Sequence, residues 1–197
     1  MNIGTTGRSA LSIVFVLLAW FAGAQPEASS TAAECKPESY KELSAWDFSS
    51  LTNTTGNTKN MEALPGREVA DGITGENLCL QGHEGGFLQI GKSDLAGKME
   101  LPVPSGRREL VCRLTAWRHA KDKGSEVPVT YRTADGTVST LTTLALSAEP
   151  QKFDFAVPET AVGVILQSTS SRRVKVSAVA FAMRVPPPRP GFVISFR

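Results

Sequence analysis

The sequence has few of the residues that usually bind metals, with only two histidines, His83 and His119, and three cysteines among 197 residues. No C-x-x-C pair occurs, which argues against the usual thiolate zinc sites. His83-Glu84 begins like the metalloprotease motif H-E-x-x-H, but Phe87 stands where the second histidine is needed. Gly85-Gly86 also disfavours the helix on which that motif depends. We therefore expect no metal centre and no cofactor.

The three cysteines, Cys35, Cys79 and Cys112, form an odd set, so an oxidising compartment would allow at most one disulfide within the chain. Cys79 and Cys112 both fall on predicted strands. They could bridge neighbouring strands, or they could be two buried thiols, since free cysteine is among the most buried residue types. The sequence leaves both alternatives open.

The sequence also lacks a strong excess of charge, because 21 Lys and Arg residues face 19 Asp and Glu residues. The basic residues are scattered apart from three short groups, at Arg107-Arg108, from Arg118 to Lys123 and at Arg172-Arg173. A nucleic-acid interface needs a denser basic cluster for its phosphate contacts. We expect a mixed, solvated surface and no nucleic-acid partner.

Catalytic signatures are missing as well. The nucleophile elbow G-x-S-x-G does not occur, and the spacing of the carboxylates selects no facing pair of the kind that a glycosidase requires. The stretch GFLQIGKS, at 86–93, has the letters of a phosphate-binding loop, but Gly97, Pro102 and Pro104 interrupt the helix that must follow such a loop. We interpret it as a strand and its turn, and we predict neither nucleotide binding nor enzyme activity.

The chain opens with an apolar run from Ala10 to Ala24 that ends in the cleavage pattern Ala22-Gly23-Ala24. The run is shorter than the roughly 20 residues of a membrane-spanning helix. It therefore predicts a cleaved signal peptide at 1–24, no membrane anchor after cleavage, and a protein that is secreted, periplasmic or at the cell surface. Residues 25–43 are mostly small and polar and are expected to be a flexible segment.

From Trp46 onward, helical periodicity is almost absent, and short runs with period-two alternation recur between turn residues. In 108–117, RELVCRLTAW, the residues Leu110, Cys112, Leu114 and Ala116 share one face. In 172–183, RRVKVSAVAFAM, the apolar phase changes near Ser177-Ala178, which predicts a β-bulge. Eight to ten such strands predict one all-β domain at 44–184, an antiparallel β-sandwich of the jelly-roll type.

The last residues, 185–197, form a Pro-rich tail that ends in FVISFR. The prolines break any regular element before this apolar end. The end could pair with an exposed sheet edge of its own domain or with a protein partner, since both contacts use strand addition.

Several motifs carry a family resemblance: AWDFSSLTN, then ENLCLQGHEGGFLQIGKSDLAGKMELPVP, then a strand ending in TAW, and finally SRRVKVSAVAF. Together, over about Ser44 to Met183, they resemble jelly-roll accessory modules of secreted bacterial proteins, which are similar in plan to carbohydrate-binding modules of the galactose-binding-like group. The resemblance implies a non-catalytic module that binds a glycan or a cell-surface polymer. Many such modules have an acidic pair before the final valine, whereas this chain has Ser177-Ala178-Val179, which puts a family-type calcium site in doubt.

A glycan site needs an exposed aromatic face and polar side chains for the sugar hydroxyls. Trp117 is the best placed aromatic residue, with Arg118 and His119 beside it in a polar loop and Tyr131 as a further candidate. For Trp117 a core position is an open alternative, whereas both histidines are expected to be exposed loop residues. The rival hypotheses are an envelope assembly protein that pairs through its C-terminal strand and, third, a small secreted hydrolase.

Overall fold

The computed structural model describes residues 39–122, 126–170 and 172–185, which belong to one compact unit, Lys36–Arg197. Within these ranges there are twelve strands and two short 3-10 helices, Met61–Ala63 and Arg67–Ala70. The strands are β1 (Ser39–Asp47), β2 (Lys59–Asn60), β3 (Thr74–Glu76), β4 (Leu78–Leu80), β5 (Leu88–Ile90), β6 (Lys98–Pro102), β7 (Leu110–Arg118), β8 (Glu126–Thr133), β9 (Val138–Ala145), β10 (Gln151–Val157), β11 (Ala161–Gln167) and β12 (Val174–Val185).

The strands form two antiparallel sheets. The seven-stranded sheet has the order β10-β7-β12-β5-β4-β2, and β1 also pairs with β12. The five-stranded sheet has the order β3-β6-β11-β8-β9. The eight consecutive strands β5 to β12 thus supply four neighbours to each sheet, β5-β12-β7-β10 and β6-β11-β8-β9, which is the strand order of a jelly roll. The predicted antiparallel all-β class is confirmed.

A core of apolar side chains fills the space between the sheets. The largest fully buried members include Phe48, Phe181 and Met99. Trp46 lies edge-on against Phe181, with ring centroids 6.0 Å apart, and its indole Nε1 donates a hydrogen bond to the carbonyl oxygen of Asp71 at 2.9 Å. Burying the indole with its single donor satisfied avoids the cost of an unpaired polar group.

The alternation on β7 is confirmed, because Leu110, Cys112, Leu114 and Ala116 are all buried. On β12 the pairing with β7 shifts between Val176 and Ala178, which confirms the predicted bulge. The carbonyl oxygen of Ser177, at the bulge, accepts a hydrogen bond from the backbone N–H of Phe48 at 2.9 Å. The bulge is therefore tied to the chain that leaves β1.

The possible Cys79–Cys112 disulfide is wrong, since both residues are free, buried thiols. Cys79 lies on β4 and Cys112 on β7, and β12 and β5 stand between those strands. Three strand spacings amount to about 14 Å, whereas a disulfide needs Cα atoms within about 7 Å. Burial raises the pKa of both thiols, so neither is an activated nucleophile.

The N-terminal boundary differs from the expectation, because β1 already includes Ser39 to Leu43, which the sequence assigned to a flexible segment. At the other end, β12 continues to Val185. The signal peptide predicted at 1–24 and tail residues 186–197 lie outside the described residues. No helix among the described residues is both long enough and apolar enough to cross a membrane.

The stretch at 86–93 contains β5 and the turn after it, followed by β6. Gly91 in this turn has a positive φ of 88°, a conformation that glycine adopts without strain. No helix follows the stretch, as the prolines and glycine predicted.

Candidate functional site

The outer face of the seven-stranded sheet, which points away from the core, carries the candidate site. One row of side chains comes from four neighbouring strands, and each residue pairs with the next one in the row. The row consists of Lys152 on β10, Thr115 on β7, Ala178 on β12 and Asp47 on β1. In the next row the corresponding partners are Asp154, Arg113, Ala180 and Ala45. Because neighbouring strands pair in register, these side chains stand side by side on one face.

A cleft of about 530 Å³ runs along this outer face. Its lining includes Ala178, Ala180 and Ala182 of β12, the central strand, and these small side chains make its floor. Residues of β1 form one bank, and residues of β7 and β10 form the other. A strip of alternating alanines between longer side chains thus makes a groove.

Arg113 and Tyr40 meet over this floor. The guanidinium carbon of Arg113 lies 5.2 Å from the ring centroid of Tyr40, and Arg113 Nε donates to Asp154 Oδ1 at 3.3 Å. Arg113 is on β7 and Tyr40 on β1, so their side chains must reach across β12 to make this contact. Side chains larger than alanine on β12 would obstruct it. The pair places a guanidinium over an aromatic ring at the cleft.

The two banks of the cleft differ in charge. Arg113 and Lys152 stand on the β7 and β10 side, where Asp154 is the partner of Arg113, whereas Glu42 and Asp47 stand on the β1 side. One carboxylate oxygen of Asp47 accepts a hydrogen bond from the backbone N–H of Ser49 at 2.9 Å. Hydroxyl groups in the cleft would meet both donors and a carboxylate acceptor on the β7 and β10 bank, and carboxylate acceptors on the β1 bank.

Trp117 lies on the same outer face, beyond the cleft. It is directly opposite Lys175 on β12, and its ring packs edge-on against Phe87 with centroids 5.4 Å apart. The ammonium of Lys175 is 4.3 Å from the Phe87 centroid and 3.0 Å from a carboxylate oxygen of Glu84. Trp117 is therefore half-buried and held by neighbours, a position between the two alternatives that the sequence left open.

His119 is buried, with 9% of its surface exposed, so the expectation of an exposed loop histidine is wrong for it. His83 is exposed, as expected. The Nδ1 atom of His119 lies 2.8 Å from Arg173 Nη2 and 3.3 Å from the backbone N–H of Lys121. The sequence could not show this burial because Arg173 is 54 residues away.

The pKa of His119 is lowered, first by burial and then by the charges of Arg173 and Lys175, which outweigh Asp122 and Glu84. Asp122 accepts hydrogen bonds from Arg173 Nη2 at 2.6 Å and from the Arg173 backbone N–H at 2.5 Å. Burial alone would raise the pKa of Asp122, but the bonds and charge of Arg173 reverse that effect and lower it. The cluster therefore holds a neutral imidazole beside an ionised Arg–Asp pair.

Tyr131 does not join Trp117, Arg118 and His119 in one site. Arg118 Nη1 donates to the carbonyl oxygen of Asp122 at 2.6 Å and so fastens the loop after β7. Tyr131 lies on β8 in the other sheet and packs against the core. The four residues singled out from the sequence thus divide into a loop-supported group at 117–119 and one residue on the opposite sheet.

The sequence reasoning missed the cleft residues Tyr40 and Arg113. One signal was available, because Ala178, Ala180 and Ala182 alternate in SAVAFAM. Their outward direction and the meeting of β1 with β7 above them depend on strand order, which the sequence did not reveal. Within the described ranges, no group of three or more His, Cys, Asp or Glu side chains could hold a metal ion.

No protein-family model matches the chain, and no curated protein matches its sequence. Among solved structures, a family 29 carbohydrate-binding module is 16% identical, with a TM-score of 0.42, over 71% of this chain and 90% of that one. A variant of the module CBM29-2 in complex with cellulohexaose is 15% identical, with a TM-score of 0.43, over 74% of this chain and 93% of that one. These structural neighbours are carbohydrate-binding modules, the group that the sequence resembles. At such low identities and TM-scores, this similarity is not evidence for the function of this chain.

Proposed function

We propose that the protein is an exported, non-catalytic module that binds an extended glycan chain of a polysaccharide or a cell surface in the cleft of its outer face. The observation that carries the proposal is the cleft itself, with its alanine floor, the stacked Arg113 and Tyr40, and banks of opposite charge.

The shape of the cleft favours a chain rather than a single sugar. Its lining extends from Asp47, opposite Ala178, to Tyr40, opposite Arg184. Six residues of β12 separate these two positions, which corresponds to about 20 Å at the usual rise of a strand. A groove of this length along an open face suits several consecutive sugar units.

The arrangement of carboxylates supports binding rather than hydrolysis. Asp47 and Asp154 stand on opposite banks, and three strand spacings, about 14 Å, separate β1 from β10. The two carboxyl groups of glycosidases are only about 5 to 9.5 Å apart. Asp154 is in addition paired with Arg113. The wide separation of these strands and the pairing of Asp154 favour binding over acid–base cleavage of a glycosidic bond.

The test is binding of the purified protein to bacterial and host glycans on an array, followed by titration calorimetry with any polysaccharide that binds. Arg113→Ala and Tyr40→Ala remove the stacked pair and should weaken binding about tenfold or more, in line with the loss of stacking and cation–π contacts. Ala180→Trp should block the floor and abolish binding.

Arg108→Ala is the matched control, because the side chain of Arg108 is exposed and does not line the cleft. It should leave the affinity unchanged. If the protein binds no glycan with or without calcium, or if the cleft variants bind as well as the control, the proposal is wrong.

A further inference from the structure

We propose that His119, Asp122 and Arg173 form an acid-sensitive latch that fastens the loop after β7, and that protonation of His119 opens the latch and loosens the Trp117 end of the outer face. The latch is a property of the folded chain itself. Its effect on binding rests on the proposed function.

The hydrogen bonds of His119 fix its protonation state. Arg173 Nη2 and the Lys121 backbone N–H both approach Nδ1, and both are donors. Nδ1 must therefore carry a lone pair, so the ring is neutral with its proton on Nε2. When a proton binds Nδ1, that atom can no longer accept from Arg173, and two positive groups face each other in a buried site.

The charged groups around His119 set the direction of the response. Lys175 faces it from β12, Arg173 from the residue just before β12, Asp122 from its own loop, and Glu84 from the loop between β4 and β5. Asp122 Oδ1 lies 3.7 Å from Nδ1 and is already held by Arg173. An imidazolium would compete with Arg173 for this one carboxylate, so protonation weakens the contact between Arg173 and the loop.

The latch joins the end of β7 to the start of β12. Besides the side-chain contacts, the His119 backbone N–H donates to the carbonyl oxygen of Arg173 at 3.1 Å. Two residues earlier on β7, Trp117 stands opposite Lys175, which is two residues beyond Arg173. Loss of the latch therefore frees the strand ends that hold Trp117 in place.

As the pH falls, His119 should take up a proton before Asp122 does. The pKa of His119 lies below 6.5 and that of Asp122 below 3.8. Between pH 6.5 and pH 3.8 Asp122 stays ionised, whereas His119 takes up a proton when the latch opens, because opening releases the ring from the contacts that lower its pKa. As the pH falls from 6.5 towards the lowered pKa of the closed latch, each pH unit shifts the equilibrium towards the open latch by up to about tenfold, since opening takes up one proton.

The experiment is a pH titration of the untagged protein by NMR, from pH 8 to pH 4, following the histidine ring nitrogens and the backbone amides. We expect the Nε2–H tautomer of His119 at pH 8. We also expect the amides of 117–122 and 172–175 to shift together as the ring protonates. An Nδ1–H tautomer, or amides that do not follow the ring, would overturn the latch.

Two variants distinguish the contribution of His119 to the amide shifts from that of His83. His119→Asn keeps an acceptor near the position of Nδ1 but does not titrate, so the amide shifts should disappear above pH 4. His83→Asn removes the exposed histidine, whose positive φ of 59° asparagine tolerates, and should leave the shifts unchanged. If His83→Asn abolishes them and His119→Asn does not, the assignment to His119 is wrong.

Binding of a polysaccharide found on the array is then compared at pH 7.5 and pH 5. Weaker binding at pH 5 that is absent in His119→Asn supports the link to the outer face. Unchanged binding together with the amide response overturns that link but leaves the latch. A protein that binds no glycan contradicts the proposed function, while the NMR titration still decides the latch.

Discussion

Removal of the Asp122 carboxylate should strongly destabilise the fold. Asp122 and Arg173 are buried, with side-chain exposures of 6% and 11%, and they are joined at 2.6 Å. Asp122→Ala leaves the guanidinium of Arg173 without its charged partner. Breaking one side of a buried ion pair costs about 3–5 kcal/mol in free energy of unfolding.

Asp154→Ala is the matched control, because it breaks an Asp–Arg pair on the same sheet that is largely in solvent. Arg113 and Asp154 have side-chain exposures of 48% and 47% and are 3.3 Å apart. Such exposed pairs contribute about 0–1 kcal/mol. Urea unfolding at pH 7, followed by far-UV circular dichroism, should therefore show a much lower midpoint for Asp122→Ala than for Asp154→Ala.

The contribution of Asp122 should also depend on pH in one direction. Because the pKa of Asp122 is lowered in the folded chain, its stabilising effect is present above its ordinary value of 3.8 and is lost as the pH falls through the folded pKa. The difference between wild type and Asp122→Ala should shrink below about pH 4. Equal costs for the two variants at pH 7, or a difference that grows in acid, would refute the account of the buried pair.

Three other predictions test packing away from the cleft. Gly75→Ala should cost about 1–3 kcal/mol or more by urea unfolding, because a Cβ there would meet a backbone carbonyl of the adjacent strand. Gly163→Ala should cost less, because its Cβ would meet the Glu100 side chain rather than backbone, although Glu100 would have to shift from its contact with Arg132. Asn53→Ala should lower the free energy of unfolding by about 2–4 kcal/mol, since the buried Asn53 amide donates to three backbone carbonyls. Because Asn53 is buried, mass spectrometry should find no glycan on it after expression in a glycosylating host. In a variant without Cys35, a thiol reagent should label neither Cys79 nor Cys112 in the folded protein, and it should label both after unfolding without a reductant. If the unfolded protein reacts only after a reductant is added, the two cysteines form a disulfide and the assignment of free thiols is wrong.

Much of the fold was predictable because alternation is a local signal. The long strands β7, β10 and β12 have clear inward and outward sets, and the phase change at Ser177-Ala178 marked the bulge. The beginning of β1 was missed. Its consecutive charged residues Lys41 and Glu42 are both exposed, and its own register shift between Glu42 and Ser44 hides the period of two.

The candidate site was less predictable because its contacts join distant parts of the chain. Tyr40 reaches Arg113 only because β12 places β1 and β7 on its two sides. The same dependence on strand order explains why Cys79 and Cys112 are not neighbours. His119 had the sequence context of a loop residue, and only Arg173, brought next to it by β12, buries it.

The bulge at Ser177 determines which residues of β12 face outward. Lys175, before it, is on the outer face, and strict alternation would place Val179, Phe181 and Met183 there too. The extra residue reverses the phase, so the alanines become the floor of the cleft while Val179 and Phe181 enter the core. Deleting Ser177 should therefore leave Val179 and Phe181 in the core, because Val176 and Ala178 already pair with the successive β7 residues Ala116 and Thr115, but it should lower stability, because it removes the carbonyl oxygen that binds the Phe48 N–H. Ser177→Ala should fold, since the backbone carbonyl that binds Phe48 is retained. Circular dichroism and urea unfolding compare the two variants, and a deletion variant that does not fold would show that the phase of β12 depends on more than this one extra residue.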